Sequence, residues 1–261
     1  MNRFSEIKKF VEFDFSKNII IEPKSRYLKL KEMLFEVIDT YNPQVIVKAG
    51  LGNGKLLFEI AENYDSLVVV VEPSYDNVKN FLELHKGSGA LEQIKFIVGN
   101  FEEFPVDYYA ANLLINIDMF DFIESNKVLD EFRRAIEFES ILFIASVVLH
   151  EDDIEGVYDD FMKVAFPIHN DYYLEVDLKT FMDLNEFKFI KGKLEYFEEN
   201  IPGQLDYFDE LYNSKKDALD FIKKNREDFN TLYGFNENIV NLPYFSGIFM
   251  RNKIQPKDSK L

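Results

Sequence analysis

Three glycines at alternate positions, Gly50, Gly52 and Gly54, follow the apolar run Val45-Ile46-Val47 and precede the helix-favouring Lys55-Leu56-Leu57-Phe58-Glu59-Ile60. Glycine admits positive φ and lets a ligand approach the backbone closely. A helix that opens straight after the turn aims its unpaired amides back at whatever the turn holds. A second apolar run, Leu67 to Val71, ends in Glu72, 18 positions beyond Gly54. Nucleotide-binding sheets place an acid about 20 residues after their glycine turn, where it accepts hydrogen bonds from ribose hydroxyls. The pair points to a ligand containing a nucleoside. A pyrophosphate cofactor expects Gly-x-Gly-x-x-Gly, whereas position 55 is Lys, so a dinucleotide is disfavoured. Taken alone, the glycines leave open a plain connection between a strand and a helix.

The elements that would position these residues are legible from periodicity. Tyr27, Leu30, Met33, Leu34, Val37, Ile38 and Tyr41 recur at helical spacing until Asn42-Pro43 stops the run. The continuous β-branched run from Leu67 marks a strand buried on both faces, and Ser74 after Pro73 is a plausible cap for the helix that carries Val78, Phe81, Leu82 and Leu84. The alternation continues with strands at Ile94–Val98, Ala111–Ile117 and Ile141–Leu149, the last two separated by a helix near Asn126–Ile136. Five strands spaced by helices describe an open parallel α/β sheet with helices on both faces. Beyond His150 the rhythm changes. Extra helices are expected around Ile154–Ala165, Asp177–Leu184 and across much of 214–232, with strands at Phe187–Phe197 and Tyr244–Arg251. No repeat or linker separates these pieces, so residues 1–261 are expected to form one domain. Residues 1–42 are its N-terminal segment and helix, and 151–176 and 200–242 are lid-like insertions at the ligand edge of the sheet.

Composition removes several classes of function. With 30 Lys+Arg against 47 Asp+Glu the formal charge is -17, which repels phosphate backbones, so nucleic acid is an unexpected partner. The absence of cysteine excludes disulfides, Cys-ligated metals and a Cys nucleophile. The apolar run from Ile141 to Leu149, interrupted by Ser146, falls far short of the ~20 residues that span a bilayer. Charges run through the N-terminal residues where a secretory signal needs an apolar core, so a cytoplasmic protein with no membrane partner is expected. The final Ser259-Lys260-Leu261 matches a peroxisomal address, a short signal on a polar tail.

From about Tyr27 to Phe197 the chain resembles the class I S-adenosylmethionine-dependent methyltransferases. Lys48-Ala49-Gly50-Leu51-Gly52-Asn53-Gly54 is similar to that family's first motif, an acid followed by x-Gly-x-Gly-x-Gly. Glu72-Pro73-Ser74 resembles the second, which implies that Glu72 takes the ribose. Gly99-Asn100-Phe101 is similar to the adenine loop, with Asn100 where the family usually has Asp and Phe101 positioned to cover the ring. Asn116 to Phe122, including Ile117, stands at the fourth motif, beside the methionine end and the reacting methyl, and Leu129 to Arg134 resembles the helix before the fifth strand. The resemblance implies a three-layer α/β sandwich around a mostly parallel seven-stranded sheet in the order 3-2-1-4-5-7-6, last strand antiparallel, with helical insertions. It also implies S-adenosyl-L-methionine as cofactor and methyl transfer to a small molecule, with O-methylation of a sugar or glycan precursor expected. The family's Pro-Gly turn before the fifth strand is replaced by Ile136 to Ser140.

The second departure is Lys48, which stands where the family's acid commonly helps hold the cofactor ammonium. Two cations about 5 Å apart at an effective dielectric of ~20 repel by roughly 3 kcal/mol. Lys48 therefore points elsewhere, pairs with an acid such as Glu72, or weakens the cofactor, and a catalytically silent binding or scaffold protein on the same fold is the alternative reading. An oxygen nucleophile can require a general base. His150, at the end of the fifth strand, and His169, in the insertion, are the candidates, each with an ordinary hydrogen-bonded role as the alternative. The acidic run Glu151, Asp152, Asp153, Glu155, Asp159 and Asp160 could join His150 and Asp118 or Asp121 in an oxygen-rich metal site. A solvated helix start is the better account, since first-turn acids suit the helix dipole, so no metal is assigned.

Overall fold

Alternate residues along the inner strands enter two different hydrophobic layers, and this alternation sets the architecture. In the computed structural model, which describes residues 24–121 and 125–252, Ile46, Val68, Val70, Leu113, Ile115, Ile141 and Phe143 pack on one face of the sheet. They meet Leu30, Leu34 and Val37 of helix α1 (Lys24–Tyr41) and Leu57 and Ile60 of α2 (Lys55–Asn63). Val47, Ala49, Val71, Leu114, Leu142 and Ile144 face the other way, against Val128, Leu129 and Phe132 of α4 (Ser125–Ala135) and Leu178 and Met182 of α6 (Glu175–Leu184). A strand's period of two divides its side chains between opposite faces, so a sheet apolar at every position needs helices on both sides.

Seven strands form the sheet: β1 (Val45–Ala49), β2 (Leu67–Glu72), β3 (Ile94–Val98), β4 (Ala111–Ile117), β5 (Ile136–Val147), β6 (Phe187–Asn200) and β7 (Ile239–Arg251). Their order is β3-β2-β1-β4-β5-β7-β6, as the resemblance implies. The first five are mutually parallel, and β7 runs antiparallel between β5 and β6. The strand order reverses between β1 and β4, and open α/β sheets bind their ligands in the crevice beyond the carboxyl ends of the strands at such a point. The glycine turn leaves β1 there, and Asn116 sits directly across from Ala49 in the β1–β4 register.

The differences from the periodicity lie mainly around the insertions. β5 starts at Ile136, because Ile136 pairs with Ala111; the chain then bulges, with Glu139 at φ +61°, before Ile141 resumes the pairing opposite Leu113. The polar stretch 214–232 is two helices, α8 (Lys215–Lys224) and α9 (Arg226–Tyr233), parted at Asn225, and α7 (Ile201–Tyr212) precedes them in a stretch without a clear helical periodicity. Asn200 caps α7 by accepting from the Gly203 amide at 2.9 Å, with Pro202 in its first turn. These three helices and α5 (Val157–Ala165) bury Tyr158, Phe161, Phe166, Leu205, Phe208, Ile222, Phe229 and Tyr233 in a third hydrophobic cluster. Most of the aromatics between 158 and 208 are thus core. Residues 1–23, Phe122 in the fourth motif and the Ser-Lys-Leu end lie outside the described residues.

Candidate active site

The glycine turn is built so that other residues would not fit it. Gly50, Gly52 and Gly54 have φ of +79°, +60° and +73°, and a Cβ on Gly54 would lie 2.0 Å from Cε2 of Phe81, on α3 (Tyr75–Leu84). The Gly50 amide donates to the Val71 carbonyl at 2.8 Å, which ties the turn to β2. Gly54 then caps α2 without a side chain of its own, and the Lys55 amide donates to Asn53 Oδ1 at 3.1 Å, so the helix opens with its electropositive end directly after the turn.

Glu72 closes the same corner. It is 8 % exposed, and its carboxylate accepts from the Leu51 amide at 2.8 Å and from the Ser74 amide at 3.1 Å. Asn77 Nδ2 lies 3.4 Å from the same carboxylate. A carboxylate has about four acceptor positions, so capacity for hydroxyl donors remains. Pro73 turns the chain into Ser74, whose hydroxyl accepts from the Asn77 amide at 3.2 Å to cap α3. Lys48 is buried under the turn and its Nζ donates to the Gly50 carbonyl at 2.6 Å. Of the three outcomes open to Lys48, this contact makes it a strut inside the turn, while Glu72 is held by backbone amides.

Asn116 is fully buried at the end of β4, and neither its Oδ1 nor its Nδ2 has a hydrogen-bond partner. An unpaired buried amide costs on the order of 1–3 kcal/mol, and here it lies where the strand order reverses. Ile117 packs on the opposite layer. Past it, Asp118 adopts φ +52° while its amide donates to the Ala145 carbonyl, and Met119 lies 3.4 Å from where a Cβ of Gly50 would be. The segment after β4 therefore runs along the glycine turn. Asn100 is exposed and accepts from the Glu102 amide at 3.1 Å, whereas Phe101 is buried beside Ala49, Val71 and Phe104.

The two histidines differ sharply. His150 Nδ1 accepts from the Asp152 amide at 3.2 Å, which commits that nitrogen to the turn. His169 is buried between two acids: Nε2 lies 2.7 Å from Asp159 Oδ1, and Nδ1 lies 3.7 Å from Asp121 Oδ2. Burial alone would push the imidazole pKa down, but the two carboxylates raise it above the ordinary histidine value. Asp159 is also a candidate for upward displacement by burial, yet His169, Lys163 and the Tyr172 amide hold it below the usual carboxylate range. Asp121, by contrast, is pushed up by burial despite His169. Sequence reasoning singled out His169 as a base and considered Asp121 and Asp159 only with His150 in an oxygen-rich metal site, because the three meet only once the insertion packs over the end of β4.

The acidic run likewise divides. Asp153 is buried, accepts from the Val157 and Tyr158 amides and receives the Tyr233 hydroxyl. Asp159 turns inward to His169, while Glu151, Asp152, Glu155 and Asp160 face solvent or its margin. Among the described residues no group of three or more His, Asp or Glu is arranged to hold a metal, and no helix is long and apolar enough to cross a membrane.

Comparison with known proteins supports the geometry. A family model described as a methyltransferase domain matches residues 44–211. No curated protein matches the chain in sequence. Solved structures with the same fold include a Bacillus halodurans C-125 protein assigned as a methyltransferase, 13% identical with a TM-score of 0.74 over 85% of this chain and 99% of that one. The [4+2]-cyclase SpnF is 11% identical, with a TM-score of 0.61 over 85% and 80% of the two chains. The phosphoethanolamine N-methyltransferase 2 of Haemonchus contortus, solved with phosphomonomethylethanolamine and S-adenosylhomocysteine, is 14% identical. Its TM-score is 0.60, over 97% of this chain and 59% of that one. At these identities the likeness is one of fold.

Proposed function

The chain belongs to the methyltransferase domain family, and from that premise we propose that it transfers a methyl group from S-adenosyl-L-methionine to a small molecule. The observation that carries this reading is the unpartnered amide of Asn116, buried opposite the glycine turn at the switch point of a sheet whose family match spans that point. A donor bound there supplies an electrophilic sulfonium methyl. Gly52 exposes backbone to it, the amides of α2 beyond Lys55 point toward the turn, and Glu72 has acceptor capacity left for ribose hydroxyls. Asn116 would gain at the cofactor the hydrogen bonds that the protein does not give it. The chain's remaining task is alignment, since an in-line displacement gains most from holding the nucleophile about 3 Å from the methyl carbon. Segments 151–176 and 200–242 read as the cover over that acceptor. The net charge of -17 favours a small molecule over nucleic acid, with a sugar or glycan-precursor hydroxyl as the expected acceptor.

Calorimetric titration with S-adenosylmethionine and S-adenosylhomocysteine tests the reading. Binding that Glu72→Ala weakens about tenfold or more is expected, and no binding of either ligand by the native chain overturns it. A catalytically silent protein is the second reading, favoured by Lys48 holding the Gly50 carbonyl where the family's acid stands. It gains if the native chain binds neither ligand and Lys48→Asp creates binding.

A further inference from the structure

A second polar centre follows the segment whose Met119 touches the glycine turn. Asp121 belongs to it, and its side chain is 6% exposed. One carboxylate oxygen, Oδ2, lies 3.7 Å from His169 Nδ1, and the other, Oδ1, is buried without a hydrogen-bond partner. Asp121 also lines a cavity of about 10 Å³, room for roughly one water molecule. Ser146, Val147 and Val148 at the end of β5 and Tyr172 and Tyr173 of the insertion form its other walls. Behind His169, Asp159 accepts at Oδ1 from both Nε2 and the Tyr172 amide, and Lys163 holds its other oxygen at 2.6 Å. An ionised carboxylate only accepts, so His169 Nε2 carries a proton and the ring orientation is set.

We propose that Asp121 takes the proton of the methyl acceptor through its free Oδ1, with His169, oriented by Asp159, as the positioning residue that keeps the Asp121 carboxylate in place. This rests on the methyl-transfer reading and narrows its acceptor to a hydroxyl or an ammonium, groups that must lose a proton. The acceptor's oxygen or nitrogen forms a bond to the methyl carbon, and the methyl carbon–sulfur bond breaks with its electron pair left on sulfur. The acceptor proton passes to Asp121. Thioethers and carboxylates need no such group and are disfavoured as acceptors.

Burial raises the Asp121 pKa, which brings its basicity closer to neutral pH, the range in which a general base works best. The charged and titratable groups around it are Asp118 on its own segment, Tyr158 on α5, and His169, Asp171, Tyr172 and Tyr173 from the insertion.

Sinefungin carries a charged amine where S-adenosylmethionine carries the methyl, so it probes this carboxylate without a known acceptor. The native chain should bind sinefungin about tenfold or more tighter than S-adenosylhomocysteine by calorimetry. Asp121→Asn should abolish that preference while S-adenosylhomocysteine affinity stays within about twofold. His169→Gln is the second variant. It should move the acid-side loss of the preference to higher pH, because an Asp121 without its imidazolium ionises later, and a residue with a purely structural role would not shift this profile. A preference that survives Asp121→Asn overturns the proposal, and an unshifted pH profile in His169→Gln overturns the positioning role of His169. If neither ligand binds the native chain, the methyl-transfer reading itself falls and takes the proposal with it.

Discussion

The two sides of the switch point solve the same problem in opposite ways. On the β1–β2 side every singled-out polar group is answered within the protein: Glu72 by the Leu51 and Ser74 amides, the Gly50 amide by Val71, and Lys48 by the Gly50 carbonyl. On the β4–β5 side Asn116, Asp121 Oδ1 and His169 Nδ1 are buried without hydrogen bonds. Buried polar groups are nearly always paired, so the unpaired atoms that meet at this edge support the proposed ligand site, although others, such as Arg251 Nε, lie elsewhere. The first side is a preformed frame, and the second holds unmet hydrogen-bonding capacity.

The sharpest break of this contrast is Gly54→Ala. A methyl forced to within 2.0 Å of the Phe81 ring at φ +73° should cost about 4 kcal/mol from strain and overpacking together. Urea unfolding will show it, and a loss under about 1 kcal/mol would mean the frame is not rigid.

Next in size, His169→Leu should cost about 3 kcal/mol at neutral pH by leaving the buried Asp121 carboxylate without its cation, while Asp159 keeps Lys163. The pH dependence has a defined sign. His169 is held above its ordinary pKa, so its contribution is present below that value and is lost as pH rises through the raised one. Asp159 is held below its ordinary pKa, so its contribution is present above that value and is lost as pH falls through the lowered one. Thermal melts of the native chain should therefore decline at both ends. In His169→Leu the alkaline decline should start at lower pH, since ionised Asp121 then stands alone.

Glu72→Ala should cost about 2 kcal/mol, because two buried amides lose their acceptor. Asn116→Leu sharpens the contrast from the other side. Replacing an unpaired amide by an apolar group of similar volume should change stability by less than about 0.5 kcal/mol, while calorimetry shows weakened S-adenosylmethionine binding. If Asn116→Leu destabilises as much as Glu72→Ala, the two sides are alike and the distinction fails.

Much of the frame was legible because its signals are local. Gly50, Gly52, Gly54 and Glu72 lie within 23 consecutive residues and the β-branched runs around them define their own strands. The ends of the elements were less so. No Pro-Gly turn separates α4 from β5, so the early start at Ile136 is a matter of pairing with Ala111 rather than of local propensity. Helix α7 carries Pro202 and Gly203 in its first turn, which mask a helical pattern that packing against α5 and β6 then enforces.

The sequence by itself determined the alternating α/β order, the glycine turn with its distant acid, and a net charge of -17, because each depends on neighbours in the chain or on composition. Only the tertiary structure decided that Lys48 braces the turn, that Asn116 is left unpaired and that His169 sits between Asp121 and Asp159. Those outcomes depend on how the insertion folds back over the ends of β4 and β5. Burial, which turns an ordinary acid or amide into a functional one, is a property of the packed whole that no single stretch of chain encodes.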